Sequence, residues 1–120
     1  GITAMAVIEG FALADSLGLD LKKFYGLCAG AAAQSWTLEN RCPIPGVVPE
    51  SPASNDFDPG FAMRLMAKDL RLAQAAATAM GQETPFGAKA AQDYTSFAET
   101  HGDRDFSAFY KHLRDLPDNG

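Results

Sequence analysis

Few residues in this chain combine the type and the spacing that chemistry needs, and Lys68 is the first of them. It lies in the run Gly60-Phe61-Ala62-Met63-Arg64-Leu65-Met66-Ala67-Lys68-Asp69-Leu70-Arg71-Leu72-Ala73. Wound as a helix, this run puts Lys68 at the edge of an apolar face formed by Phe61, Leu65 and Leu72. A lysine so placed either carries its ammonium to water along an apolar stem or offers a donor to an anion in a cleft. Asp69 reads either as a plain surface carboxylate or as an acceptor for a loop or ligand hydroxyl. Arg64, Lys68 and Arg71 share one strip, an anion-binding edge or the solvated face of the helix. Trp36, the single tryptophan, stands where a short helix gives way to a proline-rich loop. Its indole either anchors that loop in the core or forms the wall of an apolar pocket.

The other reactive side chains form no local motif. His101 and His112 are too far apart for a metal-binding pair on one turn, and no carboxylate or cysteine cluster has ligand spacing. Ser35, Ser51, Ser54 and Cys28 lack a nucleophile signature, and the chain contains neither G-x-G-x-x-G nor a P-loop. Spacing alone names no reaction.

The elements that must position these residues are helical almost throughout. A first helix over about residues 2–17 places Ile2, Met5, Ile8 or Glu9, Ala12 and Ser16 on related turns, with Gly18 as its C′ residue. Asp20 caps a second, whose Leu21, Phe24, Leu27, Cys28 and Ala31 form one stripe to be buried. A short helical turn around 35–41 precedes Pro43, Pro45, Gly46, Pro49, Pro52 and Pro59, through which no helix continues. Asp58-Pro59 then signals a third helix over about 59–80, closed by Gly81. Its second apolar face, Met63, Met66, Leu70, Ala73 and Ala77, predicts a central helix packed on two sides. Thr84-Pro85 starts a fourth, to about Glu99, and Asp105 caps a fifth that Pro117 ends. The prediction is an all-α bundle of about five to six helices in a single domain.

Composition bounds what such a domain does. A length of 120 residues fits one domain, and 47% apolar with 21% charged residues is globular. No apolar run approaches the roughly 18 residues of a membrane span. Fifteen acidic against ten basic residues give a net charge of −5, which argues against duplex DNA, RNA or anionic membrane as a partner. Cys28 and Cys42 are too few for a disulfide scaffold, which points to a reducing compartment. The opening Gly1-Ile2-Thr3-Ala4-Met5 has no signal-peptide pattern and no initiator methionine. The expectation is therefore a chain continuing from a longer polypeptide, in a bacterial cytoplasm, or in a mitochondrion if a transit peptide lies upstream.

Three segments together resemble one family. Ser35-Trp36 followed by Cys42-Pro43-Ile44-Pro45-Gly46 is similar to the S-x-W…P-V-P-G loop of 3-hydroxyisobutyrate dehydrogenases. The run from Gly60 to Ala73 resembles their G-F-x-x-x-L-M-x-K-D-L-x-L-A helix. The stretch from Gly10 to Ser16-Leu17-Gly18-Leu19-Asp20 resembles their E-A-x-x-L-A-x-x-x-G-L-D helix, and Pro52-Ala53 and Asp105-Phe106-Ser107 also match. The K-D-L-x-L-A helix is shared by the wider β-hydroxyacid dehydrogenases, while the P-x-P-G loop is narrower.

The resemblance implies that residues 1–120 form the all-helical C-terminal domain of such an enzyme, with the fold of the 6-phosphogluconate dehydrogenase C-terminal domain. Its partners would be an N-terminal Rossmann domain, absent from this chain, a small hydroxy-acid substrate and further copies in a homo-oligomer. The implied reaction oxidises 3-hydroxyisobutyrate to methylmalonate semialdehyde with NAD, or with NADP in its place, in valine catabolism. The family's catalytic Lys and Asn would lie upstream of Gly1, so no catalytic residue falls in this chain and it should be inert alone. By the same resemblance, Lys68, Phe61 and Asp69 bind the cofactor, and Trp36 and Phe61 line the substrate pocket. Arg64 departs from the usual uncharged residue. The exposed apolar side of the first helix is expected to drive self-association. The alternatives are a related tartronate or succinate semialdehyde reductase, or a non-enzymatic helical interaction module.

Overall fold

A computed structural model describes residues 1–116 as six α-helices: α1 Ile2–Ser16, α2 Leu21–Cys28, α3 Trp36–Asn40, α4 Met63–Met80, α5 Pro85–His101 and α6 Phe109–Leu113. Two 3-10 turns, Pro52–Asn55 and Phe106–Ala108, complete the regular structure. Among the described residues there is no strand, only one isolated antiparallel bridge between Ala62 and Asp105. The all-α expectation holds. The residues fall into two compact units: residues 1–2 with 59–106, and residues 3–58 with the described residues from 107 on.

In the first unit, α4 and α5 pack together, and Met63 and Ala67 of α4 and Ala90, Ala91 and Tyr94 of α5 are all buried. Small side chains allow a close approach: a Cβ added at Gly87 would stand 2.6 Å from Gln74 Nε2 on α4. The helix ends where the sequence places it, because Gly81 takes a left-handed φ of 67° and its N–H caps Ala77 and Thr78.

The beginning of α4 differs from the sequence expectation. The Asp58-Pro59 signal predicts a start at residue 59, yet the helix begins at Met63 behind Ala62, whose side chain caps nothing. The chain at 60–64 instead pairs with the segment 102–106. Met63 N donates to Arg104 O at 2.8 Å and Arg64 N to Gly102 O at 3.0 Å, so a crossing backbone satisfies donors a cap would otherwise take. Nor is α4 packed on two sides. Met63, Met66 and Ala67 are buried, whereas Leu72 is 63% exposed and Ala73 is exposed.

In the second unit, the buried face of α1 is Ala4, Ile8, Phe11 and Ala14. This corrects the stripe through Ile2, Met5, Ala12 and Ser16: the Phe11 ring, 5.0 Å edge-to-face from Phe24, sets which side turns inward. Asp20 caps α2 as expected, its carboxylate accepting from Lys23 N. No residue of α2 is buried, however, and Leu27 is exposed. The helix ends at Cys28 before reaching Ala31, so eight residues give too few turns to complete the predicted stripe. Ser35 caps α3 by accepting from Leu38 N at 3.0 Å. The last helix, α6, follows Ala108 and not Asp105, whose carboxylate is engaged elsewhere. It ends at Leu113; Pro117, the expected stop, lies outside the described residues.

Candidate functional site

Lys68 projects from the second turn of α4, with its Nζ 3.0 Å from Asp69 Oδ1 and both side chains about half exposed, 53% and 52%. An ammonium carries three donors, so this exposed pair leaves Lys68 able to donate to a further anion. The rest of its strip is engaged. Arg64 Nε donates to Asp103 at 3.2 Å, and Arg71 Nη1 to Thr95 Oγ1 of α5 at 3.2 Å. Arg64 faces solvent, its side chain 60% exposed.

Phe61 precedes α4 and is not part of it, so it shares no helical face with Lys68. Its half-buried ring lies 6.4 Å edge-to-face from Phe106. Its backbone is held on both sides: the N–H donates to Asp105 Oδ1 at 2.9 Å, and the carbonyl accepts from Phe106 N at 3.1 Å. The same Oδ1 accepts from Gly60 N at 3.1 Å. Asp105 is fully buried. Sequence reasoning missed this role, since a D-F-S run before a helix reads as a cap; the signal was an acidic residue directly before two residues of buried character.

Trp36 belongs to the second unit and is 62% exposed. The loop-anchoring reading is therefore corrected: the indole opens α3 at the surface, with the Arg41 guanidinium 4.8 Å from its ring centre. The loop is held by other means. Ser54 Oγ accepts from Gly46 N at 3.0 Å and donates to Val48 O, and Ser51 Oγ donates to Val48 O at 2.8 Å. Its last turn carries Asp56 and Phe57 at φ of 56° and 58°, a left-handed pair of non-glycine residues. The buried Phe57 ring has the Lys111 ammonium 4.9 Å from its centre.

The second unit also contains an apolar cavity of about 280 Å³, walled by Val7, Phe11, Phe24, Cys28 and Leu38. Trp36 does not line it. Both cysteines are free; burial pushes the Cys42 thiol up to about 11, so it stays protonated near neutral pH. Among the described residues no group of His, Cys, Asp and Glu is gathered to hold a metal ion, and no helix is long and apolar enough to cross a membrane.

This all-helical architecture, with a cationic α4 behind a clamped G-F segment, matches known proteins over nearly its whole length. The family described as "NAD-binding of NADP-dependent 3-hydroxyisobutyrate dehydrogenase" matches residues 1–113, and the chain belongs to that family. A probable 3-hydroxyisobutyrate dehydrogenase of Mycobacterium tuberculosis is 45% identical over 113 residues, 94% of this chain and 38% of that protein. An NAD-dependent L-serine dehydrogenase of Pseudomonas aeruginosa is 37% identical over 92% of this chain and 37% of its own length. A structure of the Mycobacterium tuberculosis 3-hydroxyisobutyrate dehydrogenase, solved with L-serine, superposes with a TM-score of 0.91 at 45% identity, covering 94% of this chain and 39% of that one. The chain thus spans well under half the length of the relatives it matches.

Proposed function

We propose that this chain is the helical part of a dehydrogenase that oxidises a small 3-hydroxy acid with NAD or NADP, 3-hydroxyisobutyrate being the preferred substrate. The observation that carries the reading is the exposed Lys68–Asp69 pair on α4, two turns after the clamped Phe61, in a chain 45% identical to a probable 3-hydroxyisobutyrate dehydrogenase. The residues fit the dinucleotide: Lys68 keeps donors for an anionic group, and the half-exposed Phe61 ring offers an apolar wall. When bound, the nicotinamide supplies the hydride acceptor. Asp69 holds the Lys68 ammonium in place, and Trp36 serves the substrate pocket through its exposed indole face. General-base work on the hydroxyl belongs to residues outside this chain, so residues 1–120 alone are inert.

A specific observation favours L-serine as a second substrate. It shares a primary alcohol beside a carboxylate-bearing carbon with 3-hydroxyisobutyrate, and both a relative's name and the superposed structure carry it. Exposed Leu72, Met80 and Phe86 in the first unit, with Leu13 and Leu27 in the second, support association of the protein into a homo-oligomer. Relatives occur in bacteria and as mitochondrial proteins, and a bacterial cytoplasm remains the proposed compartment.

The test is Lys68→Ala in the full polypeptide that carries this chain. Losing a charge-assisted bond costs about 1.5–3 kcal/mol, so cofactor affinity should fall about 10- to 150-fold. Cofactor affinity unchanged in a folded variant would refute the role given to Lys68.

A further inference from the structure

We propose that Asp105 is a positioning residue of this dehydrogenase, acting on the proposed cofactor site through Phe61; the proposal rests on the function just given. The carboxylate is 0% exposed, and a buried carboxylate is tolerated only where hydrogen bonds compensate its lost hydration. One of its oxygens, Oδ1, accepts from two successive backbone donors, Gly60 N at 3.1 Å and Phe61 N at 2.9 Å, across a sequence separation of more than forty residues. Neither donor has a partner within α4, which starts at Met63.

The contacts around this oxygen form a short two-sided clamp. Phe106, the residue after Asp105, donates its N–H to Phe61 O and sets its ring edge-to-face on the Phe61 ring. Met63 and Arg64 donate to the carbonyls of Arg104 and Gly102 just upstream. The segment 102–106 therefore fixes both the backbone of Phe61 and the first turn of the helix that carries Lys68. Gly102 is itself held close, since a Cβ there would come within 2.8 Å of Ala98 O. Nothing in α4 supplies these bonds, because its own N-cap residue, Ala62, has no side-chain acceptor. Asp105 is the side chain on which this clamp turns. Its task is geometric: it sets where the Phe61 ring stands relative to a bound cofactor.

The chemistry separates this role from simple stability. Asparagine keeps an acceptor oxygen at the same distance from Cα, whereas alanine removes it and glutamate moves it outward by one methylene. The experiment measures kcat and KM of the full polypeptide with 3-hydroxyisobutyrate and NAD for Asp105→Ala, Asp105→Asn and Asp105→Glu. Each is made with Phe61 intact and in a Phe61→Leu background, and Phe61 amide exchange is followed in parallel.

With Phe61 intact, Asp105→Ala is expected to lower kcat/KM about tenfold or more and to speed exchange of the Phe61 amide, while Asp105→Asn restores most of both. In the Phe61→Leu background the Asp105→Ala loss should shrink to less than about threefold, because the residue it positions is gone. If Asp105→Ala does not fold, Asp105→Glu takes its place in the same cycle with the same expectations. Losses that multiply independently in the two backgrounds, or an Asp105→Asn variant as impaired as the alanine, would overturn the proposal while leaving the dehydrogenase reading intact. A parent polypeptide that oxidises neither 3-hydroxyisobutyrate nor L-serine would overturn both.

Discussion

Asp15 offers a quantitative test of how the second unit is held. Its Oδ2 accepts from Tyr110 Oη at 3.1 Å and from Arg114 Nε at 3.0 Å, tying α1 to α6 across nearly the whole chain. Tyr110 is buried, so Asp15→Ala leaves its hydroxyl without this acceptor. A hydrogen bond to a charged group contributes about 1.5–3 kcal/mol. The Arg114 pair is partly exposed, 31% and 39%, and adds no more than about 1 kcal/mol. The expected loss for Asp15→Ala is thus about 2–4 kcal/mol, whereas Tyr110→Phe, which removes only the hydroxyl's bond and leaves the carboxylate paired with Arg114, costs about 1.5–3 kcal/mol.

The same contact predicts a pH dependence. Burial first, and then the hydrogen bond to Asp15, push the Tyr110 phenol up to about 12 from an ordinary value of 10.0. Because the folded pKa is raised, the unfolded chain ionises first. The contribution is complete below pH 10 and is lost as the pH rises from about 10 towards about 12. Urea unfolding followed by circular dichroism, at neutral pH and across this window, measures both effects. An Asp15→Ala variant within 0.5 kcal/mol of the parent, a threshold set below a typical net hydrogen bond of about 1 kcal/mol, would refute the reasoning. So would an alkaline decline that Tyr110→Phe leaves unchanged.

Two further outcomes are expected. Iodoacetamide at neutral pH should label the half-buried Cys28 well before the buried, protonated Cys42, as read by peptide mass mapping; equal labelling of the native protein would contradict the burial of Cys42. Met63→Ala, at the fully buried first residue of α4, should destabilise the first unit by about 2–5 kcal/mol in denaturant unfolding, and a loss below about 1 kcal/mol would count against close packing there.

What the sequence reveals is set by the range of the interaction. Asp20 and Ser35 act on donors three residues away, and Gly18 and Gly81 take the left-handed conformations that end α1 and α4, so these boundaries are legible residue by residue. The start of α4 is not. It depends on Asp105 and on the carbonyls of Gly102 and Arg104, some forty residues away, which outweigh the local Asp58-Pro59 signal. The burial of α2 fails for a related reason: its apolar spacing is clear, but burial needs a partner surface that spacing does not specify. Lys68, Asp69 and Phe61 stand out by family resemblance more than by spacing. A helical wheel puts Phe61 on the face of Lys68, and the folded chain takes Phe61 out of the helix altogether. The exposure of Trp36 was likewise open, since an indole beside a proline-rich loop serves equally as anchor or as surface wall.

The most direct test of the account is turnover by the full polypeptide that carries this chain, followed as reduced nicotinamide formed from 3-hydroxyisobutyrate and L-serine with NAD and NADP in turn, and, for the reverse reactions, as NADH or NADPH consumed with tartronate and succinate semialdehydes. The account predicts the highest kcat/KM on 3-hydroxyisobutyrate, lower activity on L-serine, and no turnover by residues 1–120 alone. A full polypeptide that prefers one of the semialdehydes would move the substrate within the class, and one that turns over none of the four would contradict the dehydrogenase reading itself.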